Sequence, residues 1–453
     1  MATNFLRIVS VILLSLTGFS CSSKNKVSFV KSNGENLTLN GKKFFFSGGN
    51  SYSMLYSKED ADKQFATAKS LGLNVIRLWG FWNMEFDKAD IDKGKILQPE
   101  PMKFSENGWK KLDYVIYLAG KNNIKLIIPL LNNWSEFGGT ETYMRWAGID
   151  IPELPESFYK RGEVLKKIRP KFWKSKKAQK LYLNYVKYIL NRKNSYTGVL
   201  YKNEPSIMIW EVMNEPRYGP WSNTKAGSES VRDWISTAAD YIKSIDSNHL
   251  VATGEEGFLD NSDTKIKSSV YPFNGATGEG SSFVLNSAIK SIDVLGFHMW
   301  PFQWSLWGTS DQDFGKDMVG EYPDLSKFAE DWVKEHKRIA SKLKKPIYLG
   351  EFGFQILRRE GSDISDRNKI IESAYQQAIK NKLSGLAFWN LTSSNDSEGI
   401  KYKGEIIRKT LNQSLYNDTA IPHDLDFKFD IICPKDKSTC DIIKKYSKEI
   451  IKK

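Results

Sequence analysis

Two strand-like segments of this chain each end in a carboxylate. Residues 207–213 form a largely apolar run that stops at Asn214-Glu215-Pro216, and residues 346–350 lead in the same way to Glu351. Pro216 cannot continue a central strand because it lacks a backbone N–H, so the first strand must end at about Glu215. Parallel α/β folds hold their functional groups at the carboxyl ends of strands. One such ending indicates little, but two favour a site built on a pair of carboxylates.

A pair of carboxylates among aromatic and amide side chains suits hydrolysis of a glycosidic bond. One carboxylic acid protonates the leaving oxygen, and the other carboxylate attacks or supports the anomeric carbon. We expect Arg77 to lower the pKa of one carboxyl, and apolar neighbours to keep the other protonated. The substrate-binding candidates at the predicted strand ends are Asn214, Arg77, His298, Trp300, Trp389, Trp79, Asn132, Trp134 and Glu256. For any one tryptophan, packing in the core is the alternative to a place in a sugar subsite.

Alternating strand-like and helix-like segments predict the α/β fold that positions these residues, a (β/α)8 or TIM barrel. The eight short strands are predicted near residues 44–50, 74–79, 124–131, 207–215, 250–255, 294–298, 346–351 and 385–389. Asn40-Gly41 is a strong turn dipeptide, so residues 27–46 are predicted to form a β-hairpin that caps one end of the barrel. We assign residues 27–415 to one catalytic domain. Residues 416–453, rich in Lys and Asp, are expected to form a short C-terminal extension that packs peripherally or frays.

Composition narrows the classes of partner and cofactor. The net charge of +13 comes mostly from lysines spread along the chain, and no basic block is interleaved with aromatic residues. We therefore predict a solvated surface and no nucleic-acid partner. No cysteine or histidine spacing fits a zinc site and no glycine-rich phosphate loop is present, so neither a metal nor another cofactor is expected. His249, His336 and His423 are expected at the surface or on helix flanks, and the protein is expected to be a monomer.

The first residues are typical of a targeting signal. An apolar run over residues 8–16 is too short to span a bilayer, and Cys21 stands where a bacterial lipoprotein is cut and lipidated. We predict a lipoprotein-type signal peptide over residues 1–21 and a tether over 22–26. The protein is then secreted or on the cell surface, and it contacts a membrane only through a lipid at Cys21; simple secretion is the alternative. Cys433 and Cys440 either close a small loop in an oxidising compartment or stay free thiols.

Several longer stretches resemble glycoside hydrolase family 5, and within it the endo-β-1,4-mannanases. The resemblance covers roughly residues 27–392, and the matching stretches are residues 132–139 (NNWSEFGG), 190–192 with 196–198, 201–208 (YKNEPSIM), 210–217 (WEVMNEPR), 243–250 and 256–258. It implies a retaining enzyme with Glu215 as acid/base and Glu351 as nucleophile. Asn214 would bind the 2-hydroxyl of the sugar at subsite −1, Arg77 and His298 would orient the nucleophile, and Trp389 would form the floor of that subsite.

The segment His298-Met299-Trp300-Pro301 departs from the family pattern. Many members carry Tyr two residues after this His, where it hydrogen-bonds the nucleophile. Trp offers only an N–H donor, so the contact is weaker, absent or made by another group.

The expected function is hydrolysis of internal β-1,4-mannosidic bonds in mannan, glucomannan or galactomannan by double displacement. An endo-β-1,4-glucanase of the same family is one alternative, and a non-catalytic surface glycan-binding protein is another. The presence of both Glu215 and Glu351 beside Asn214 speaks against a pure binding protein, which needs neither acid.

Overall fold

The chain folds into a barrel of parallel strands surrounded by helices, with a small antiparallel sheet at one end. The computed structural model describes residues 28–83, 96–134, 136–152, 158–219, 225–266, 272–301, 304, 325–354, 356–357, 364–392, 400–402, 405–407, 427–428, 431 and 433–453. The predicted signal peptide, the tether and Cys21 lie outside these residues. Within them, no helix combines the length and the apolar character needed to cross a membrane.

The predicted hairpin cap is a three-stranded meander. Its strands are β1 (Lys31–Asn33), β2 (Asn36–Leu39) and β3 (Lys42–Lys43), paired antiparallel in that order. The Asn40-Gly41 turn has positive φ at both residues, 54° and 75°, as a two-residue hairpin of this type requires. Val30 and Leu37 are buried against the lower interior of the barrel, so the meander closes that end.

Eight parallel strands form the barrel in the order β8-β7-β6-β5-β4-β12-β10-β9. Single backbone hydrogen bonds join its two edges, from Asp293 N to Val251 O at 2.9 Å and from His298 N to Glu256 O at 3.1 Å. The sequences of the strands are continuous apolar runs because helices cover the outside of the barrel. They are β4 (Phe46–Asn50), β5 (Val75–Arg77), β6 (Lys125–Pro129), β7 (Ile207–Glu211), β8 (Leu250–Ala252), β9 (Leu295–Met299), β10 (Ile347–Phe352) and, after the two-residue β11 (Ile356–Leu357), β12 (Gly385–Phe388).

Helices pack around the barrel in chain order, and their ends carry recognisable caps. Ser57 accepts a hydrogen bond from Asp60 N at the start of the first helix, and Gly72 ends it with φ of 73°. The helices are α1 (Lys58–Leu71), α2 (Glu106–Asn122), α3 (Gly139–Trp146), α4 (Phe158–Lys174), α5 (Lys176–Asn191), α6 (Lys225–Ile245), α7 (Ala276–Glu279), α8 (Phe283–Ser287), α9 (Leu325–Leu343), α10 (Ile364–Lys380) and α11 (Lys437–Ile451). Three further short strands are β13 (Ile400–Tyr402), β14 (Glu405–Ile407) and β15 (Phe427–Lys428).

The C-terminal helix belongs to the barrel wall, which differs from the peripheral extension that composition predicts for residues 416–453. Helix α11 packs against α1, α10 and β4, in the place of the eighth barrel helix. Ser447 Oγ lies 2.7 Å from Ser47 Oγ on β4, and the Tyr446 ring stacks on Tyr375 of α10. A helix must cover this side of β4 and β12, because both strands are buried on their outer faces. Cys433 and Cys440 are joined by a disulfide at the start of this helix.

Candidate active site

The carboxyl ends of four barrel strands meet at the guanidinium group of Arg77. Its Nη1 donates to Asn50 Oδ1 at 3.0 Å and to Glu351 Oε1 at 2.5 Å. Its Nη2 donates to Glu211 Oε2 at 2.7 Å and to Asn214 Oδ1 at 2.8 Å. Asn214 Nδ2 in turn donates to Asn132 Oδ1 at 3.0 Å. Arginine suits this position because its planar fork of N–H groups can hold several oxygens in fixed directions.

Glu215 has an unusual backbone conformation that directs its side chain inward. Its φ is 51°, in the left-handed region that few residues other than glycine adopt. Its N–H donates to Gly254 O at 2.8 Å, which ties the end of β7 to the loop after β8. Gly254 permits this approach, since a Cβ there would lie 2.2 Å from Met213 O. Residues in such conformations cluster at functional sites, where the surrounding structure holds them.

Glu215 and Glu351 face each other across His298. One side-chain oxygen of each glutamate and one ring nitrogen of His298 lie within 4.8 Å of one another. His298 Nδ1 is 2.7 Å from Glu215 Oε1 and 3.5 Å from Glu351 Oε2. Retaining glycosidases keep their two carboxyls about 5–5.5 Å apart, whereas inverting enzymes need about 6.5–9.5 Å to admit a water molecule. The observed separation fits the retaining arrangement.

The two carboxyl groups cannot both ionise freely. Burial raises the pKa of Glu215, against the lowering effects of Arg217, Trp134 and Arg77. Burial also raises the pKa of Glu351; Arg77 opposes this, and the neighbouring Glu215 adds to it. Two coupled carboxyls at this distance share one proton over a range of pH. Arg77 contacts Glu351 directly and therefore favours the charged form of that carboxyl group.

His298 stays uncharged between the two carboxyls. Burial, together with the positive charge of Arg77, lowers its pKa to about 3. A neutral ring adds no charge to the site. It positions Glu215 through the contact at Nδ1.

Three tryptophans predicted to bind sugar form one aromatic cluster at this end of the barrel. The ring centroid of Trp389 lies 5.8 Å from that of Trp79 and 6.1 Å from that of Trp300. Trp389 also stacks on Tyr52 at 5.9 Å, and the Arg77 guanidinium lies over the Trp79 ring. Trp79 therefore supports both Arg77 and Trp389 as well as packing in the core.

The fourth tryptophan, Trp134, contacts Glu215 directly. Its Nε1 donates to Glu215 Oε2 at 2.5 Å, and its ring is only half-buried. The guanidinium groups of Arg169 and Arg217 lie 4.5 Å and 5.0 Å from the ring centroid. Because indole N–H can only donate, Trp134 holds Oε2 as an acceptor and fixes the orientation of the carboxyl group.

Glu256, also predicted to bind substrate, forms an ion pair with Arg217. The carboxylate accepts from Arg217 Nε at 2.6 Å and from Nη2 at 2.5 Å. Arg217 Nη1 donates to Glu279 Oε2 at 2.7 Å. Glu256 thus offsets the positive charge nearest to Glu215.

Replacing Glu256 by Gln should shift the pH profile of catalysis. Burial raises the pKa of Glu256 to about 7, and this carboxyl is electrostatically linked to Glu215. Without its negative charge, Arg217 lowers the pKa of Glu215 more strongly. The acid then loses its proton at lower pH, so the basic limb of kcat/KM should move to lower pH by about 0.5–1 unit. Glu255→Gln is the matched control, because Glu255 bonds Thr253 and Asn286 instead. Equal shifts in both variants would contradict this prediction.

Sequence reasoning did not assign Glu211 a role, although the site depends on it. Glu211 is fully buried and accepts from Arg77 Nε, from Arg77 Nη2 and from Tyr348 Oη. The signal in the sequence is a lone acid inside an apolar strand, which must be paired to be buried. The structure also shows Arg217 bound to two carboxylates, those of Glu256 and Glu279.

Replacing Glu211 by Gln should destabilise the protein and disturb Arg77. Breaking a buried ion pair costs about 3–5 kcal/mol, because the remaining charge stays in a low-dielectric interior. We expect a lower Tm and a lower kcat, both measured on the purified variant. Glu204→Gln is a suitable control, since this buried acid bonds Ser206 at the opposite end of the strand. A variant with wild-type Tm would show that Arg77 does not need Glu211.

Trp300 stands where many family members carry Tyr, and its ring packs against Trp389. The Glu351 carboxylate receives its charged hydrogen bond from Arg77, and His298 lies at the other oxygen. The Trp300 ring packs edge-on against Trp389 and over Gly353, where a Cβ would lie 3.1 Å from it. Arg77 thus donates to this carboxylate directly.

Glu215, His298 and Glu351 are also the residues whose spacing could hold a metal ion. The guanidinium of Arg77 already provides a positive charge in contact with Glu351.

Comparison with known proteins identifies the family of this chain. A family profile described as glycoside hydrolase family 5, β-mannosidase-like, matches residues 27–453. Mannan endo-1,4-β-mannosidase 1 of Arabidopsis thaliana is 33% identical over 383 residues, which cover 82% of this chain and 83% of the relative.

Solved structures of mannanases share the fold. The endo-β-1,4-mannanase of Thermotoga petrophila aligns with a TM-score of 0.68 at 28% identity, over 91% of this chain and 78% of that one. The endo-1,4-β-mannanase of Rhizomucor miehei aligns with a TM-score of 0.67 at 28% identity, over 94% of this chain and all of that one. The chain therefore belongs to glycoside hydrolase family 5, in its β-mannosidase-like group.

Proposed function

We propose that this protein is a retaining endo-β-1,4-mannanase that acts on mannan, glucomannan or galactomannan. The observation that carries the proposal is the close pair of Glu215 and Glu351, with Arg77 in contact with only one of them. Relatives named as mannan endo-1,4-β-mannosidases support the choice of substrate.

In the first step, the Glu351 carboxylate attacks the anomeric carbon of the sugar at subsite −1. The bond from that carbon to the glycosidic oxygen breaks, and Glu215 gives its proton to the departing oxygen. A covalent bond joins the sugar to Glu351, and Glu215 is left as a carboxylate. Arg77 orients the attacking group, and Trp134 and His298 hold the acid in position.

In the second step, Glu215 acts as a base. It takes a proton from water while the water oxygen attacks the anomeric carbon and the bond to Glu351 breaks. Two inversions at one carbon give net retention of the β configuration. Asn214, fixed by Arg77 and Asn132, is placed to bind the 2-hydroxyl, and Trp389 to stack under the ring.

Product analysis tests both substrate and outcome. Mannohexaose should yield shorter mannooligosaccharides whose new reducing ends are first released as the β anomer, as followed by NMR. Side-by-side assays should show faster hydrolysis of mannan than of carboxymethylcellulose. Preference for carboxymethylcellulose would favour the endo-glucanase, and binding without hydrolysis would favour a surface glycan-binding protein.

We also propose that the protein is secreted and anchored at a cell surface through a lipid on Cys21. The apolar run before Cys21 and the polar residues after it support this. Cys21→Ser should release the protein from the membrane fraction. Release of the unsubstituted protein into the medium would favour simple secretion.

A further inference from the structure

The end of the barrel opposite the carboxylates carries many exposed lysines. In a (β/α)8 barrel the carboxyl ends of the helices and the amino ends of the strands share this end. Six exposed lysines there, which we call the lysine face, are Lys42, Lys43, Lys121, Lys344, Lys382 and Lys452. None of the six forms a salt bridge with a carboxylate among the residues that the structure describes.

Acidic residues at the same end do not offset this charge. Glu204 and Asp246 are buried, Asp293 binds Lys243 at 2.9 Å, and Glu35 binds Lys337 at 2.8 Å. Among the described residues in the last helical turns and connecting loops at this end, the exposed acidic residue is Glu449. The lysine face is therefore predominantly positive, with Glu449 as its exposed acid.

The helix dipole accounts for only part of this pattern. It favours cations in the last turn of a helix, but Lys42 and Lys43 belong to the meander. Lys344 and Lys382 follow α9 and α10 with φ of 55° and 54°. Glycine or asparagine fits that conformation better, and Gly72 and Asn123 occupy it after α1 and α2. Lys344 and Lys382 thus occupy positions whose backbone conformation favours glycine or asparagine.

The chain enters the barrel at this same end. Val30 is buried in the lower interior beside Leu37, and the Phe29 ring lies 5.1 Å from that of His249 below the strands. A tether that precedes residue 28 would hold this end toward its anchor. The catalytic cleft, at the other end, would then face away from the anchoring surface.

We propose that the lysine face binds an anionic phospholipid surface and orients the barrel on it. Each lysine near such a surface strengthens binding by about fivefold at low salt. The proposal builds on the proposed cell-surface location, but the lysine face can act without the lipid. Docking at this end leaves the cleft open to a long polysaccharide.

Vesicle binding by the full chain with Cys21→Ser tests this surface without the lipid. The wild-type face should bind vesicles containing about 30% phosphatidylglycerol at low salt, and lose that binding at about 0.5 M salt. The test variant combines Lys42→Gln and Lys43→Gln with Lys344→Asn and Lys382→Asn, because asparagine suits the left-handed conformation. It should bind at least tenfold more weakly.

The matched control removes four charges at the cleft end. Lys110, Lys176, Lys177 and Lys180 are exposed in the first turns of α2 and α5, and their change to Gln should leave vesicle binding intact. Equal loss in both variants, or undiminished binding by the test variant, would overturn the proposal. So would equal binding to neutral phosphatidylcholine vesicles, or binding to polygalacturonate but not to vesicles. Both variants should hydrolyse mannan at the wild-type rate, which separates this result from the proposed activity.

Discussion

Replacing Glu351 by Gln should lower kcat on mannan by about 10⁴-fold or more, since the amide cannot form the glycosyl-enzyme. The change keeps the size of the side chain but removes the negative charge opposite Arg77. Steady-state hydrolysis of mannan by the purified variant, with its Tm as a check on folding, measures the loss.

Azide identifies the role of this residue. In Glu351→Gly, the space left by the side chain should admit azide, which attacks the anomeric carbon directly. One inversion from a β-linked substrate then gives an α-mannosyl azide. Wild-type activity in the Gln variant, or a β-azide product, would show that Glu351 is not the nucleophile.

Glu215→Gln should reduce hydrolysis of mannan by about 10²–10⁴-fold, the usual contribution of a general acid. A sugar oxygen is a poor leaving group, so its departure depends on the proton that Glu215 supplies. With a dinitrophenyl leaving group the first step needs no acid, so the glycosyl-enzyme should form at near the wild-type rate and then accumulate. Rapid-quench kinetics with both substrates measures this difference.

Two further results distinguish the acid from the nucleophile. Azide should rescue a Glu215→Ala variant by attacking the glycosyl-enzyme, and two inversions then give a β-mannosyl azide. The basic limb of the pH profile should also disappear, because the raised pKa of Glu215 sets the pH at which the proton is lost. Glu279→Gln is the matched control, because Glu279 bonds Arg217. This variant should keep most activity. A Glu215→Gln variant with wild-type activity on mannan would refute the assignment.

The barrel and its paired carboxylates could be predicted because they follow from local rules. Apolar runs of strand length locate the strands, although β7 ends at Glu211, before the stop at about Glu215 that Pro216 predicts. A parallel barrel then brings all such ends to one face, whatever their distance along the chain. The strand order and the eight-stranded barrel confirm the predicted fold.

The lysine-rich composition of the C-terminal residues predicts a peripheral extension, whereas the spacing of their apolar residues indicates a packed helix. Residues 437–453 are rich in lysine, yet Cys440, Ile443, Tyr446 and Ile450 recur at helical intervals on one buried face. This periodicity predicts a packed helix, and the structure has one.

Of the two expected positions for His249 and His336, the surface is wrong and the helix flank is right: His249 follows α6 and His336 lies on α9, and both are buried. His249 lies between Asp246 and Glu204 O, and His336 stacks on Phe297 and bonds Gly257 O. Both rings are buried because partners distant in the sequence satisfy their nitrogens; His423 lies outside the described residues.

The sequence by itself determined which side chains stand at the strand ends, because the alternation of apolar segments and breaking residues is a local property. Only the tertiary structure decided how those side chains share charge. Glu211, Glu351 and Asn214 all converge on one guanidinium, and Arg217 stands between Glu256 and Glu279. Such pairings depend on distances across the barrel, which no spacing along the chain encodes.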